Sequence, residues 1–294
     1  MAIDSTAETL KLATLPAPSR PRRHPLRWAC SADIAVPLAM LSIILAGLLL
    51  PALYAMPEPV GGNILDADQP LLSPGHLLGT DANGNDILSR LLHGGRTSLL
   101  IAITVNLFGL LAGGSLGAMS AYLGGVADTI IMRVLDVLIA FPSLILVLAI
   151  ARALEPGALD TIWALTFFSV PAFARIARAA TLRLREQPFM VAAGLSGTGT
   201  WRVLARHIAP NIFPQLATFG LLGIGIAINI EGAVSFLGLG IPLPQPSWGN
   251  MIYQGQMTLS ARPSLVLLPG MLLFVTVLSF NLLSEALRAR WARQ

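Results

Sequence analysis

PFMVAAGLSGTGTWRVLARHIAP, residues 188 to 210, lies between two apolar runs and is built unlike either. A short apolar turn around Phe189 to Leu195 is followed by Gly197 and Gly199, then by an amphipathic segment from Trp201 to Ile208 that stops at Pro210. Glycines and prolines placed this way break a helix into short pieces. A segment that holds Met190, Val191 and Leu195 in water has nowhere of its own to bury them. Either another protein supplies a groove, or the segment lies as an amphipathic helix on a lipid surface.

On both sides of this segment the chain loses its charges. Downstream, a fifth span covers about Ile212 to Phe236 and carries Glu231, and a sixth, Pro263 to Ser284, runs 22 residues without charge. Upstream, Thr161 to Ala174 is a fourth span of only 14 uncharged residues that contains Pro171. It needs Leu159 and part of the Arg175 turn to reach across, with the arginine snorkelling. A third helix begins near Asp128 and enters the membrane by Val137, because no further charge appears until Arg152. Arg133 and Asp136 stand three apart on it and are placed to pair. The second span, Ser98 to Tyr122, sits in a charge-free stretch from Thr97 to Ala127. The first, Ile34 to Tyr54, sits in 24 uncharged residues ending at Pro57. That stretch follows basic residues as a signal peptide does, but it is long enough to remain as an anchor, since about 20 apolar residues cross the hydrocarbon core.

The expected fold is therefore all-α and polytopic, with six transmembrane helices. Composition agrees: of 294 residues, 54% are hydrophobic and 12% charged, and the mean hydropathy is +0.71. That is too little charge to wrap a soluble core of this size. Lys11 is the only lysine and the arginines are scattered, which speaks against nucleic acid as a partner and for charges that orient helices in a lipid bilayer. Cys30, the sole cysteine, excludes an internal disulfide or a thiolate metal cluster.

The charges also set the topology. The tail with Lys11, Arg133, the segment 175 to 210 and the C-terminus carry fifteen of the basic residues; Arg90, Arg96, Arg152 and Arg262 are the four left for the other side. By the positive-inside rule the tail and the 175 to 210 loop face the cytoplasm, and six spans put both termini there. The expected organisation is a cytoplasmic basic tail (1–30), a first transmembrane helix (31–56), an extracytoplasmic loop (57–95) and a five-helix core (96–290). The core includes a cytoplasmic loop (175–210) and an outer loop (237–262).

Several side chains invite more than one reading. Asp81 and Asp86 sit among Gly79, Asn83 and Gly84, a turn composition that makes them either capping groups or a docking or gate contact at the outer face. Gly238 and Gly240 mark close helix packing or a break in the fifth helix. Trp248, behind three prolines, suits an interfacial anchor or a partner contact. Glu231 is an acid near the end of a span, where charge costs about 2.5–3.5 kcal/mol unless it meets water or a partner. It is a candidate for a translocation path or a contact between subunits, or else it lies at the membrane interface. No lysine follows a phosphate-loop glycine, the four histidines are far apart, and no nucleophile with its base is visible. No enzyme activity, cofactor or metal site is expected. An ion-coupled secondary carrier is the rival reading, and it would need more intramembrane charges than Glu231.

Four blocks resemble one family. In 188–210, Ala192, Ala193, Gly197, Ile208 and Pro210 match the cytoplasmic signature loop of ATP-binding-cassette import permeases, whose pattern starts Glu-Ala-Ala; Val191 stands at the glutamate position. The segment His76 to Ile103 is similar to the one before the second span in the peptide and nickel branch, with Asn85 where an arginine or lysine is usual. Met132 to Ser143 and Glu231 to Ile252 are similar to further blocks of that branch. The resemblance implies a type I importer permease fold in the cell inner membrane. It also implies a coupling helix, Met190 to Gly197 with Gly194 and Leu195, that docks on an ATPase subunit. The partners implied are a second homologous permease, two ATP-binding subunits and an extracytoplasmic substrate-binding protein. Peptides are the first substrate class it suggests and nickel chelates the second.

Overall fold

The computed structural model describes residues 32–53, 57–153 and 157–291. The tail 1–30 lies outside the described residues, as does the expected end of the first span at Tyr54. Apart from two isolated bridges, Ser73 with His76 and Thr80 with Asp86, the regular structure among the described residues is helical. Helix α1 is Ala32–Leu53. Helix α2 (Ile87–Phe108) runs through a π-turn (Gly109–Gly113) into α3 (Gly114–Leu123). Then come α4 (Gly125–Ile139), α5 (Ser143–Ala153), α6 (Ala158–Arg185) and α7 (Pro188–Leu195). Helix α8 (Thr200–Val203) passes through a second π-turn (Leu204–Ile208) into α9 (Ala209–Phe236). Helices α10 (Trp248–Gly255) and α11 (Ser264–Trp291) complete the chain.

Among the described residues, four helical stretches are long and apolar enough to cross a membrane: Ile87–Leu123, Ala158–Arg185, Thr200–Phe236 and Ser264–Trp291. The pair α4 and α5 passes the same test only as a span bent by 84°. The bend falls at Pro142, whose ring and missing N–H stop α4 from continuing. The helices overshoot the uncharged runs read from the sequence. α2 starts at Ile87, eleven residues before Ser98, because the Asp86 carboxylate accepts the Ser89 N–H at 2.7 Å and caps it.

The fourth span differs most from expectation. In place of 14 residues ending at Ala174 there are 28, Ala158–Arg185. Its arginines continue the helix because α4 supplies their counter-ions. Arg178 makes a two-pronged pair with Asp128, Nε to Oδ1 at 2.7 Å and Nη2 to Oδ2 at 2.6 Å, and Arg175 reaches Asp136 at 2.8 Å. Asp136 is thus engaged across helices rather than by Arg133 on its own helix. Planar guanidinium matched to carboxylate is the geometry in which such pairs are strongest.

Glycines set how close the helices come. Gly109, Gly113 and Gly117 form a ladder along the second span, and a Cβ on any of them would collide with Ser169, Val170 or Ala174 of α6. Helices packed in lipid associate through such small-residue faces, since lipid offers no hydrophobic drive to push them together. A larger apolar cluster joins α1, α2, α9, α10 and α11 around Leu91, Ile101, Ile228 and Trp248. A smaller one joins Phe173 and Ala177 of α6 to Met190, Val203, Ile208 and Ile212. Leu267, Met271 and Phe274 of α11 and Val126, Ile130 and Val134 of α4 remain exposed, faces that suit a lipid environment.

At one end of the bundle the segment 57–86 folds onto the chain between α10 and α11. Arg262 does this: its Nη1 donates to Asp68 Oδ1 at 2.9 Å and to the Thr80 carbonyl at 3.0 Å, and its Nη2 to the Gln69 carbonyl at 2.7 Å and to the Asp68 carbonyl. The two long connections therefore share one end, as the charge pattern requires. The arginine-rich segment 175–210 lies at the other, where Arg185 donates to the Ala121 carbonyl at 2.6 Å.

Candidate functional site

Helix α7 is short by construction. Pro188 occupies its first turn, where a missing N–H costs nothing. Its other end is a left-handed stop. Gly197 has φ +69°, its N–H donates to the Gly194 carbonyl at 3.1 Å, and the Thr198 N–H donates to the Ala193 carbonyl at 3.2 Å. These two bonds close the last turn and release the chain in a new direction. The eight-residue helix turns Met190 and Ala193 inward, and Met190 joins Val203 and Ile208 in the smaller cluster. Met190 was expected in water and is instead an anchor, because the turn that exposes Val191 points the preceding residue at α6.

What stays outside is an apolar surface. Val191 is 55% exposed, Leu195 86% and Trp201 76%, with Phe189, Ala192 and Gly194 beside them. Pro210 opens α9. Arg202 and Arg206, on the same segment, are exposed. Val191, at the position of the expected glutamate, faces solvent, so the substitution removes a surface charge without touching the cluster beneath.

Glu231 lies nowhere near a surface. It is fully buried; Ser98 Oγ of α2 donates to its Oε2 at 2.8 Å and Ser235 Oγ to its Oε1 at 2.7 Å. Ser98 Oγ in turn accepts the Trp248 N–H at 3.3 Å. Trp248, also fully buried, donates its indole N–H to the Leu91 carbonyl at 2.9 Å. Glycine makes room for the ring: a Cβ on Gly95 would come within 2.5 Å of both the indole and Leu48. These residues bind α2, α9 and α10 into one block. Glu231, read as a path, subunit or interface residue, and Trp248, read as an anchor or partner contact, are both enclosed within the chain.

Asp81 and Asp86 are capping groups. Asp81 accepts from the backbone N–H of Asn83 and of Asn85 at 2.9 Å each, and from the Asn85 amide. Asn85 accepts the Gly62 N–H at 2.9 Å, so the neutral amide found where a basic residue was expected ties two turns together. Asp86 caps α2 and lies 2.8 Å from His76 Nδ1. Both carboxylates are engaged within the chain. Gly238, at φ +77°, ends α9 with the same pair of bonds seen at Gly197, while Gly240 packs against Ser235.

One feature was missed from the sequence. Asn211, Gln215, Leu222, Ile226 and Asn229 fall on a single face of α9, and all five are exposed. The signal was there as amides at helical spacing, hidden because only charges were followed through the spans. The Asn211 end of this face borders a cleft of about 720 Å³ between α6, α9 and α11, lined also by Arg183, Thr218, Asn281 and Glu285.

The helical order, the short helix hung between two long spans and the apolar exterior are those of a polytopic membrane protein. The fold is that of importer permeases of the ATP-binding-cassette type. It is similar to the MetNI methionine ABC transporter in an inward-facing conformation, with a TM-score of 0.53 at 16% identity over 67% of this chain and 96% of that one. It is also similar to an amino acid ABC transporter, with a TM-score of 0.50 at 17% identity over 70% and 94% of the two chains. Residues 106–293 match the family described as binding-protein-dependent transport system inner membrane component, and the chain belongs to that family. It is 36% identical over 284 residues, 94% of each chain, to the glutathione transport system permease protein GsiD of Pectobacterium atrosepticum. It is 37% identical over 212 residues, 72% of this chain and 70% of the other, to the di/tripeptide transport system permease protein DppC of Pseudomonas aeruginosa. These relatives are transport permeases, and this chain is an inner-membrane protein of the same kind.

Proposed function

We propose that this chain forms part of the route by which short peptides cross the inner membrane, driven by ATP hydrolysis on separate subunits. The observation that carries the reading is the apolar patch of α7 and α8. Val191, Leu195 and Trp201 are held out at the arginine-rich end, where a helix-in-groove contact would cover them. On this reading two ATP-binding subunits clasp the patch, a second permease stands beside the chain, and a binding protein delivers solute at the Arg262 end. On the same reading α1 and the bent α4–α5 pair count as spans, which makes six, with both termini on the cytoplasmic side. The names of the relatives favour peptides as cargo.

Coupling requires only that one nucleotide state of the ATPase hold α7 better than another, since a partner shifts a conformational equilibrium by its difference in affinity. α7 follows directly on α6, which the glycine ladder binds to the second span, so displacement of α7 is passed on to packed helices. The test is co-purification. The intact complex should bring down ATP-binding subunits and accumulate labelled dipeptide in vesicles only with ATP. A chain that moves dipeptide alone, or that retains its ATPase partner after Leu195→Asp, overturns the reading.

A further inference from the structure

The stripe on α9 has no use in the fold. Asn211 folds back to donate to the His207 carbonyl at 2.6 Å, but the side-chain amides of Gln215 and Asn229 make no hydrogen bond among the described residues. Successive residues of an α-helix are about 100° apart, so positions 211, 215, 222, 226 and 229 share a face roughly 60° wide. From Asn211 to Asn229 this face is about 27 Å long, close to the thickness of the hydrocarbon core. Leu267, Met271 and Phe274 of α11 and Val126, Ile130 and Val134 of α4, which are exposed in the same way, are apolar. Amides that project from a membrane helix toward lipid would be left without partners, so such side chains turn to a polar cavity or to another subunit.

We propose that this face of α9 lines the solute route, with Gln215 and Asn229 as hydrogen-bonding stations for the peptide groups of the cargo. The proposal rests on the peptide-import reading and names the residues that would serve it. Two observations favour solute over a neighbouring subunit. The Gln215 end of the stripe already borders the cleft between α6, α9 and α11. An amide also offers both donor and acceptor and carries no charge, as a peptide group does, so it can exchange bonds with any peptide backbone whatever its side chains. Leu222 and Ile226 between the stations add no polar grip, which suits a route that must release what it admits.

The experiment uses the whole transporter in a Cys30→Ser background, with Gln215→Cys, Asn229→Cys and Phe274→Cys introduced singly. A charged, water-soluble methanethiosulfonate reagent should label the first two and not the third, and excess dialanine should slow that labelling several-fold. Asn229→Leu should cut dialanine uptake about tenfold while both permeases still co-purify, and Asn229→Gln should restore most of it. No labelling at positions 215 and 229, or loss of the second permease in Asn229→Leu, would show the stripe sealed between subunits and overturn the proposal. A wild-type complex that moves no dialanine would remove the peptide reading itself, whether or not the stripe is labelled.

Discussion

Ser98 and Glu231, separated by 133 residues in the chain, are joined by a 2.8 Å hydrogen bond inside the protein. The bond fastens α2 to α9, and through the Trp248 N–H on the same serine it holds α10 as well. An acid within a membrane helix is usually read as a working group. Here it is a structural tie, and the two roles respond differently to substitution.

Glu231→Gln should be tolerated, because its amide oxygen accepts from one serine while its NH₂ donates to the other. Glu231→Ala should cost about 2 to 4 kcal/mol by orphaning two buried hydroxyls and leaving a cavity. Thermal unfolding of the purified complex reads the difference. Loss of transport in the glutamine variant with an unchanged melting temperature would return the residue to a role in transport.

At Gly197 the left-handed conformation is what an L side chain resists. Gly197→Ala should weaken the stop of α7 by about 1 kcal/mol, with Gly197→Asn less affected. ATPase association measured by pull-down should fall for alanine and recover for asparagine.

The two sides of α7 should separate cleanly. Leu195→Asp and Trp201→Asp should abolish ATPase association while leaving expression and melting unchanged, since both side chains lie outside the cluster. Met190→Asp should destabilise the permease itself by placing an unpaired charge among Phe173, Val203 and Ile208. Val191→Glu should leave stability within about 0.5 kcal/mol, and a binding assay with the ATPase shows whether the restored acid strengthens the contact.

Steric fit around Trp248 gives a further measurement. Gly95→Ala should cost about 1 to 3 kcal/mol by driving a methyl group into the indole and Leu48. Trp248→Phe should lose the bond to the Leu91 carbonyl and leave that group buried, with a penalty of similar size. Chemical or thermal denaturation of the detergent-solubilised complex tests both.

Helical class and the centres of the spans were legible in the sequence because charge-free length is a direct consequence of the bilayer's thickness. Span ends were not. Arg175 was read as a boundary and Arg178 as part of a loop, but each finds a carboxylate across the fold, Asp136 and Asp128. A one-dimensional reading cannot see counter-ions that arrive from another helix. For the same reason the alternatives for Glu231, Trp248, Asp81 and Asp86 stayed open in the sequence, whereas in the fold Ser98, Leu91, Asn85 and His76 engage them. The breaks on either side of α7 were legible because Pro188 and Gly197 act locally. Only the inward turn of Met190 needed the third dimension.

The Arg262 fan joins stretches 194 positions apart with a single side chain, in a chain whose only sulfhydryl is Cys30. Secreted domains commonly weld such distant loops covalently. Here the weld needs no oxidant and cannot be undone by a reductant, so the cohesion of this rim should be indifferent to thiol-disulfide poise. What would loosen it is guanidinium or concentrated electrolyte competing for the same carbonyl and carboxylate oxygens.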